Sequence, residues 1–194
     1  MKWVIVALEN ELPSEYFHKH RPSVDWQIAY CGVGKINATI AAMKYGKLDN
    51  CTKIINYGSA GIVSTKNLIG KVVQPDVLVQ RDMLAQPLVP RGITPYDNDA
   101  TAGPIMLNTN SNITLGTGDS FVTEADPWFG YASIDLVDME AYAIAKASLS
   151  LDIPFECYKY VSDFADKDAA DAWQENANKG AKTFMEVIND ISSS

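Results

Sequence analysis

Three acidic residues, far apart in the chain, each follow a run of apolar residues that predicts a β-strand. They are Glu11, Glu140 and Asp163, and the runs before them are Trp3–Leu8, Ile134–Val137 and Phe155–Val161. The carboxyl ends of parallel strands meet at one edge of a sheet, which is where open α/β folds keep their ligand sites. Carboxylates gathered at such an edge can transfer protons or accept hydrogen bonds from a ligand.

For Glu11 by itself a structural role is an alternative. Glu9 and Glu11 together could simply be acidic residues that favour the N-terminus of a following helix, because the helix dipole stabilises negative charge there. Glu140 could be an acid in the first turn of a helix for the same reason. The alternative weakens because all three acids follow predicted strands, so that a parallel sheet would bring them to the same edge.

The elements that must position these acids follow the rhythm of βα units. Strands are predicted at Trp3–Leu8, Trp26–Cys31, Lys53–Tyr57, Val72–Val79, Ile113–Leu115, Ile134–Val137 and Phe155–Val161. Helices are predicted at Asn37–Leu48, Met139–Leu149 and about Ala170–Ile191. We therefore expect one domain over residues 1–194, with a three-layer α/β/α architecture and a central, twisted, mostly parallel mixed sheet. The proline-rich segment Arg81–Asn112 should be a long loop, which is usually functional or part of an interface.

Composition limits the classes of function. The chain has 194 residues and a formal net charge of −8, and its 16 basic residues are scattered, which argues against nucleic-acid binding. No apolar run is long enough to span a membrane, and Glu9 and Glu11 interrupt the N-terminal run too early for a signal peptide. Cys31, Cys51 and Cys157 lack metal-ligand spacing. We expect a soluble, cytoplasmic protein with reduced thiols, a small-molecule ligand, and no metal or cofactor.

Glycine-rich segments could bring backbone amides close to a ligand. Gly32-Val33-Gly34-Lys35 is not a phosphate loop, since Ala29 and Ile36 occupy positions that require glycine and serine or threonine. It is not a dinucleotide fingerprint either, because Asn37 replaces the third glycine. Gly58-Ser59-Ala60-Gly61 and Gly116–Phe121 each follow a predicted strand and are open to a binding role or to an ordinary turn.

Six segments, in this order, resemble those of purine nucleosidases of the nucleoside phosphorylase superfamily, above all 5'-methylthioadenosine/S-adenosylhomocysteine nucleosidases. They are Ala7–Glu11, Gly32–Lys35, Asn56–Gly61, Gly118–Phe121, Val137–Ala141 (VDMEA) and Ser162–Asp166 (SDFAD). The resemblance runs from the first strand to the last helix. It implies hydrolysis of an N-glycosidic bond through an oxocarbenium-like transition state, without a cofactor.

The resemblance also implies a role for each matching residue. Asp163 would be the general acid that protonates purine N7, which requires a partly buried side chain, and Ser162 would steady it by a hydrogen bond. Glu11 would orient and deprotonate the attacking water, and Glu140 would accept hydrogen bonds from the ribose hydroxyls. Met139 would pack against the sugar, although it could equally be a core residue.

The remaining residues would form the base pocket and its support. Phe121 would stack on the purine, unless it is an ordinary core residue, and Val122 with the backbone of Ser59, Ala60 and Gly61 would line the pocket. Asp138 belongs to the same motif as Glu140 and is also expected near the substrate.

Two departures leave the substrate preference open. Lys159 stands where these nucleosidases carry an arginine, which replaces a bidentate fork with a point charge, so its contacts on the ribose side must differ. The segment Arg81–Tyr96 also differs, and in the family this loop reaches the partner subunit's active site. The resemblance thus implies a homodimer. It leaves methylthio, homocysteinyl, deoxy and hydroxyl groups all possible at the 5' position of the nucleoside substrate.

Two rival functions remain. A purine nucleoside phosphorylase would need arginines to hold phosphate, whereas Arg21, Arg81 and Arg91 all lie outside the Gly32–Lys35 and Gly58–Gly61 segments. The negative charge of Glu11 would also repel phosphate. A nucleoside-binding protein without activity is the other rival, and the presence of all three acids argues against it.

Overall fold

The computed structural model describes residues 1–99, 101–124 and 126–193. The strands are β1 (Lys2–Val6), β2 (Trp26–Tyr30), β3 (Lys53–Ile62), β4 (Val72–Val73), β5 (Val77–Gln80), β6 (Ile105–Met106), β7 (Thr114–Thr117), β8 (Leu136–Asp138) and β9 (Phe155–Phe164). The helices are α1 (Ser14–His20), α2 (Lys35–Gly46), α3 (Pro127–Tyr131), α4 (Ala141–Ser150), α5 (Ala169–Asn176) and α6 (Ala181–Ser193). No helix among the described residues is both long and apolar enough to cross a bilayer.

The strands form one mixed sheet in the order β2-β1-β3-β8-β7-β5-β6, and β9 pairs with both β3 and β4. The pairs β1–β2, β1–β3, β3–β9, β5–β7 and β7–β8 are parallel. The pairs β3–β8, β4–β9 and β5–β6 are antiparallel. The prediction of a mostly parallel mixed sheet is therefore confirmed.

Alternate side chains of the central strands enter two different cores, because successive residues of a strand point to opposite faces of the sheet. On one face, Val4 and Ile55 pack in a cluster with Phe17 of α1 and Phe184 of α6. On the other face, Ile5 and Ile54 pack in a cluster with alanines of α2 and α4. Helices thus cover both faces, which gives the expected three layers.

The C-terminal helix prediction is wrong in one respect. A single helix over Ala170–Ile191 was expected, but α5 ends at Asn176 and α6 begins at Ala181. Gly180 lies against the ring of Tyr160, and a Cβ on this glycine would lie only 2.4 Å from Tyr160 Cγ. The close packing of the backbone on this ring accompanies the break, and it depends on a tertiary contact that helical periodicity does not report.

Other boundaries also differ from the predictions. The run Val72–Val79 is two short strands, β4 and β5, separated by Pro75, because proline has no N–H to donate to a ladder. The sequence pattern does not predict α1 or α3. Within the described part of Arg81–Asn112, β6 is the one regular element, so the expectation of a long loop is close to the structure.

Candidate active site

Strands β3 and β9 run side by side and continue beyond their predicted ends. Gly58–Gly61 and Asp163 were each expected just beyond a strand, but these residues lie inside β3 and β9. The register shifts between Ala60 and Gly61, so that Gly61 pairs with Asp163. A Cβ on Gly61 would lie 2.8 Å from Asp163 Oδ1, so glycine lets the carboxyl group lie against the neighbouring strand.

Asp163 is almost fully buried, with 5% of its surface exposed. A general acid at this position was expected to be at least partly buried, so this condition is met. The hydroxyl of Ser162 donates to its Oδ2 at 2.6 Å, so the expected hydrogen bond is present. Burial raises the pKa of the Asp163 carboxyl above its usual range, more than the Ser162 hydrogen bond lowers it. Asp166, an exposed residue, raises this pKa by a smaller amount.

Glu11 lies in the loop after β1 and is also buried. Its Oε1 accepts hydrogen bonds from the Ser59 amide at 2.8 Å and the Ser59 hydroxyl at 2.6 Å. Its Oε2 accepts one from the Leu8 amide at 3.1 Å. The two oxygens are therefore unequal, since among the described residues Oε1 accepts two hydrogen bonds and Oε2 accepts one.

Glu140 precedes α4, after the short strand β8, and its side chain is buried. Its Oε1 accepts a hydrogen bond from the Gly34 amide at 2.9 Å, which ties the Gly32–Lys35 loop to the site. Burial and then the nearby charge of Asp138 raise the pKa of Glu140 to about 7, against the opposing effects of Lys159 and the Gly34 amide. The carboxyl group thus changes charge near neutral pH.

Lys159 and Asp138 form an ion pair of 2.8 Å behind Glu140, with only 1% of either side chain exposed. Asp138 Oδ1 also accepts a hydrogen bond of 2.5 Å from Thr117, and its Oδ2 accepts from the Ala141 amide at 2.8 Å. Burial is the largest single effect and would lower the pKa of Lys159, but the charge of Asp138 together with smaller effects of neighbouring groups outweighs it and keeps the ammonium group protonated. This pair therefore anchors the start of α4.

The three acids converge on one cavity of about 170 Å³. That is roughly ten times the space that one ordered water needs, so the cavity can hold a small ligand. Ten of the twelve residues that the sequence proposed for the site line it: Glu11, Ser59, Ala60, Gly61, Phe121, Val122, Asp138, Met139, Glu140 and Asp163. The other two, Ser162 and Lys159, are buried and hydrogen bond to lining residues.

Three further polar residues that the sequence interpretation missed also line this cavity: Arg81, Ser120 and Trp173. Arg81 follows β5 directly, so the local pattern used for the acids, a polar residue just after a strand, would have marked it. Its Nη1 donates to the Ser120 hydroxyl at 2.9 Å and its Nη2 to the Gly118 carbonyl at 3.0 Å. Arg81 thus fixes the segment that carries Phe121.

Hydrogen bonds and an ion pair connect the loops next to the cavity. The Lys35 amide donates to Asp119 Oδ1 at 2.7 Å, and its ammonium group lies 2.7 Å from Asp82 Oδ1. Gly34 has a φ of +95°, a conformation that an L side chain rarely adopts, and it directs the Gly34 amide at Glu140. The Gly32–Lys35 segment is thus a structural part of the site rather than a simple turn.

Comparisons with known proteins agree with this fold. The family model of the phosphorylase superfamily matches residues 16–193. Over 172 residues, the chain is 28% identical to a 5'-methylthioadenosine/S-adenosylhomocysteine nucleosidase of Listeria innocua, covering 78% of this chain and 74% of that protein. It is 25% identical over 177 residues to the enzyme of the same name from Staphylococcus haemolyticus, covering 82% and 78%.

Solved structures of proteins with the same name are similar in fold. The Helicobacter pylori enzyme superposes with a TM-score of 0.83 at 18% identity, covering 97% of each chain. The Streptococcus pneumoniae enzyme, bound to a transition-state inhibitor, superposes with a TM-score of 0.80 at 21% identity, covering 97% of this chain and 99% of that one.

Proposed function

This chain belongs to the phosphorylase superfamily, and from that premise we propose that it is a purine nucleosidase. It hydrolyses the N-glycosidic bond of an adenosine-type nucleoside, such as 5'-methylthioadenosine or S-adenosylhomocysteine, to the free base and the ribose moiety. The observation that carries the proposal is the convergence of three buried carboxyl groups, Glu11, Glu140 and Asp163, on one cavity. The Listeria innocua and Staphylococcus haemolyticus relatives described above are both named as nucleosidases of these two substrates.

Asp163 is the general acid in this proposal. Burial keeps its pKa above the usual range, so the carboxyl group can hold a proton for the purine N7. As the bond between C1' and the base breaks, the electron pair leaves with the base, and the proton from Asp163 neutralises the charge that develops. Ser162 holds the carboxyl group in place through its hydrogen bond to Oδ2.

Glu11 is the base that activates water. Its Oε1 accepts two hydrogen bonds from Ser59, whereas among the described residues Oε2 accepts one, from the Leu8 amide, which leaves a lone pair on Oε2 for water. We assign Oε2 as the oxygen that accepts the proton of the attacking water, while the water oxygen bonds to C1'. Solvent then returns a proton to Asp163 and removes one from Glu11, which completes the cycle.

Glu140 accepts hydrogen bonds from the ribose hydroxyls, and its negative charge favours the cationic sugar of the transition state. Met139 packs against the sugar. Lys159 stands where the related nucleosidases carry an arginine. It does not contact the ribose as a substitute for that arginine, because its ammonium group is paired with Asp138 at 2.8 Å. Asp138 and Lys159 hold the backbone from which Glu140 projects.

The purine lies between Phe121 and the β3 backbone. Phe121 is about half exposed at the cavity wall, so one face of its ring is available for stacking on a base. Val122 and the backbone of Ser59, Ala60 and Gly61 form the rest of the base pocket. The small side chains there leave room for the flat ring system.

Hydrolysis is favoured over phosphorolysis by the charges around the cavity. Among the described lining residues Arg81 is the one cation, and both of its terminal nitrogens donate to Ser120 or Gly118. Glu11 would repel a phosphate placed for attack. A direct test mixes the protein with methylthioadenosine, adenosine or inosine, with and without phosphate, and measures free base by chromatography.

The outcomes of this test are distinct. Release of base at the same rate with and without phosphate supports the nucleosidase. Release that requires phosphate would identify a phosphorylase, and no release from any of the three nucleosides would contradict an enzymatic role.

We also propose that the protein is a homodimer. Ile36 and Ile40 lie one turn apart on α2 and are 75% and 61% exposed, which is the pattern of an apolar contact surface. Light scattering should give twice the mass of the 21.3 kDa chain, and Ile36→Glu with Ile40→Glu should shift it to the monomer. A wild-type monomer at micromolar concentration would contradict the proposal.

The cytoplasm is the proposed place of the reaction, where the product ribose moiety can enter methionine salvage. Cys31, Cys51 and Cys157 are all free thiols, as a reducing compartment maintains them. Fractionation of the source cell followed by immunoblotting tests the location.

A further inference from the structure

Trp173, on α5, forms a hydrogen bond at the proposed catalytic centre. The proposed function gives this hydrogen bond no role. The indole Nε1 donates to the Ser59 hydroxyl oxygen at 2.7 Å. The same Ser59 oxygen lies 2.6 Å from Glu11 Oε1. Trp173, Ser59 and Glu11 therefore form a continuous chain of hydrogen bonds beside the cavity, and all three line it.

The direction of this chain is fixed by the chemistry of its members. An indole N–H can only donate, and an ionised carboxylate can only accept. Ser59 must therefore accept from Trp173 and use its single hydroxyl proton to donate to Glu11. Without the indole N–H, the Ser59 hydroxyl would lose one of these two hydrogen bonds and would hold Glu11 less firmly.

Helix α5 is held at the site by a second contact on the same face. Asn176 Nδ2 donates to the Ser162 carbonyl at 2.9 Å, next to Asp163. Trp173 and Asn176 are three residues apart, so they project from the same side of the helix. One contact reaches β3, which carries Ser59, and the other reaches β9, which carries Asp163, so α5 is docked on both of these strands.

We infer that Trp173 is a positioning residue of the hydrolysis, which acts through Ser59 to hold Glu11 Oε1 and so leaves Oε2 directed at the attacking water. This inference rests on the proposed function. Trp173 itself does not transfer a proton and need not touch the reacting atoms. Its effect should appear in the chemical step and should disappear when Ser59 cannot transmit it.

The test is a double-mutant cycle with methylthioadenosine as substrate, measuring kcat and KM for base release. Trp173→Phe removes the N–H and keeps an aromatic ring, and it should lower kcat about fivefold, as for loss of one neutral hydrogen bond. KM should stay within about twofold, because substrate contacts are retained. In a Ser59→Ala background the same substitution should have no further effect on kcat.

Two controls separate positioning from packing. Trp128→Phe makes the same change of side chain at a partly buried tryptophan outside the cavity lining and should leave kcat unchanged. If Trp173→Phe does not fold, as judged by circular dichroism, benzothienylalanine at position 173 replaces N–H by sulfur with little change of shape. It should give the same fivefold loss.

Each outcome decides the inference. Equal losses from Trp173→Phe in the wild-type and Ser59→Ala backgrounds would overturn it, since packing alone would then explain the effect. A change confined to KM, or no change at all, would also overturn it. An inactive wild-type protein would reject the proposed function and the inference together, whereas an active wild type with additive losses rejects the inference alone.

Discussion

Lys159 Nζ lies 2.8 Å from Asp138 Oδ2, and this ion pair is sealed from solvent directly behind Glu140. Burying two charges is costly, and the cost is offset only when each finds strong partners. Asp138 finds them in Lys159, Thr117 and the amides of Glu140 and Ala141. The pair therefore connects the stability of the fold to the placement of a proposed substrate ligand.

Removal of the lysine charge should be severely destabilising. Lys159→Met leaves Asp138 buried without its cation, and unfolding in urea should show a loss of about 3–5 kcal/mol. Lys159→Met combined with Asp138→Asn should recover part of the loss, because the uncompensated charge is gone. Equal stability of the single and double variants would show that the ion pair is not what stabilises this site.

The stability of the protein should fall as pH rises from about 4.5 to 7. The pKa of Glu140 is about 7 in the folded protein and close to the ordinary 4.5 when the chain is unfolded. Between these values the folded state holds a proton that the unfolded chain releases, so the free energy of unfolding decreases with pH, in total by about 3 kcal/mol. Glu140→Gln should remove this contribution. If the free energy of unfolding of the variant fell with pH as steeply as that of the wild type, the prediction would be wrong.

Catalysis should also depend on the ionisation of Glu140, but activity should increase with pH where stability decreases. In the proposed mechanism Glu140 must be ionised to accept hydrogen bonds from the ribose, so kcat/KM for methylthioadenosine should fall as pH drops below about 7. The profile of kcat/KM reports the free enzyme, for which this pKa applies. Constant kcat/KM between pH 5.5 and 7.5 would speak against the role assigned to Glu140.

Asp163→Asn should abolish turnover while leaving the fold intact. Asparagine has nearly the shape of the protonated acid and its carbonyl oxygen can still accept from Ser162, but its amide N–H is not acidic enough to transfer a proton to the base. We expect kcat to fall about 10²–10⁴-fold. Asp166→Asn, at an exposed carboxylate three residues away, is the matched control and should retain activity.

Gly180→Ala should destabilise the protein by about 1–3 kcal/mol or more, because its Cβ would lie 2.4 Å from Tyr160 Cγ. Gly130→Ala is the matched control. In the described part of the chain, no atom outside the helix's own backbone and the neighbouring residues lies within 4 Å of a Cβ there, and alanine favours the helix α3. Thermal unfolding of both variants measures the difference. Equal melting temperatures would mean that the backbone moves to accommodate the methyl group.

The acids were predictable because a strand followed by a polar residue is a local pattern. Glu11 and Glu140 follow strands, as expected, and Asp163 lies at the end of one. The expectation that these strands are all parallel was wrong, because β8, which precedes Glu140, runs antiparallel to β3. The exact end of β9 was not predictable, since it depends on pairing with β3 and on the register shift at Ala60. Trp173 was missed because its role depends on a partner 114 residues away, whereas Arg81 directly follows β5 and carried the local pattern used for the acids.

The sequence by itself determined the alternation of strands and helices, the mostly parallel sheet and the identity of the acids, because hydrophobic periodicity and strand-end polarity are local properties. Only the tertiary structure decided what surrounds each acid. The Ser59 donors on Glu11, the burial of Asp163 and the Lys159–Asp138 pair arise from contacts between distant segments. Since desolvation and nearby charges set the protonation of a carboxyl group, the chemistry of these acids depends on packing that no single segment encodes.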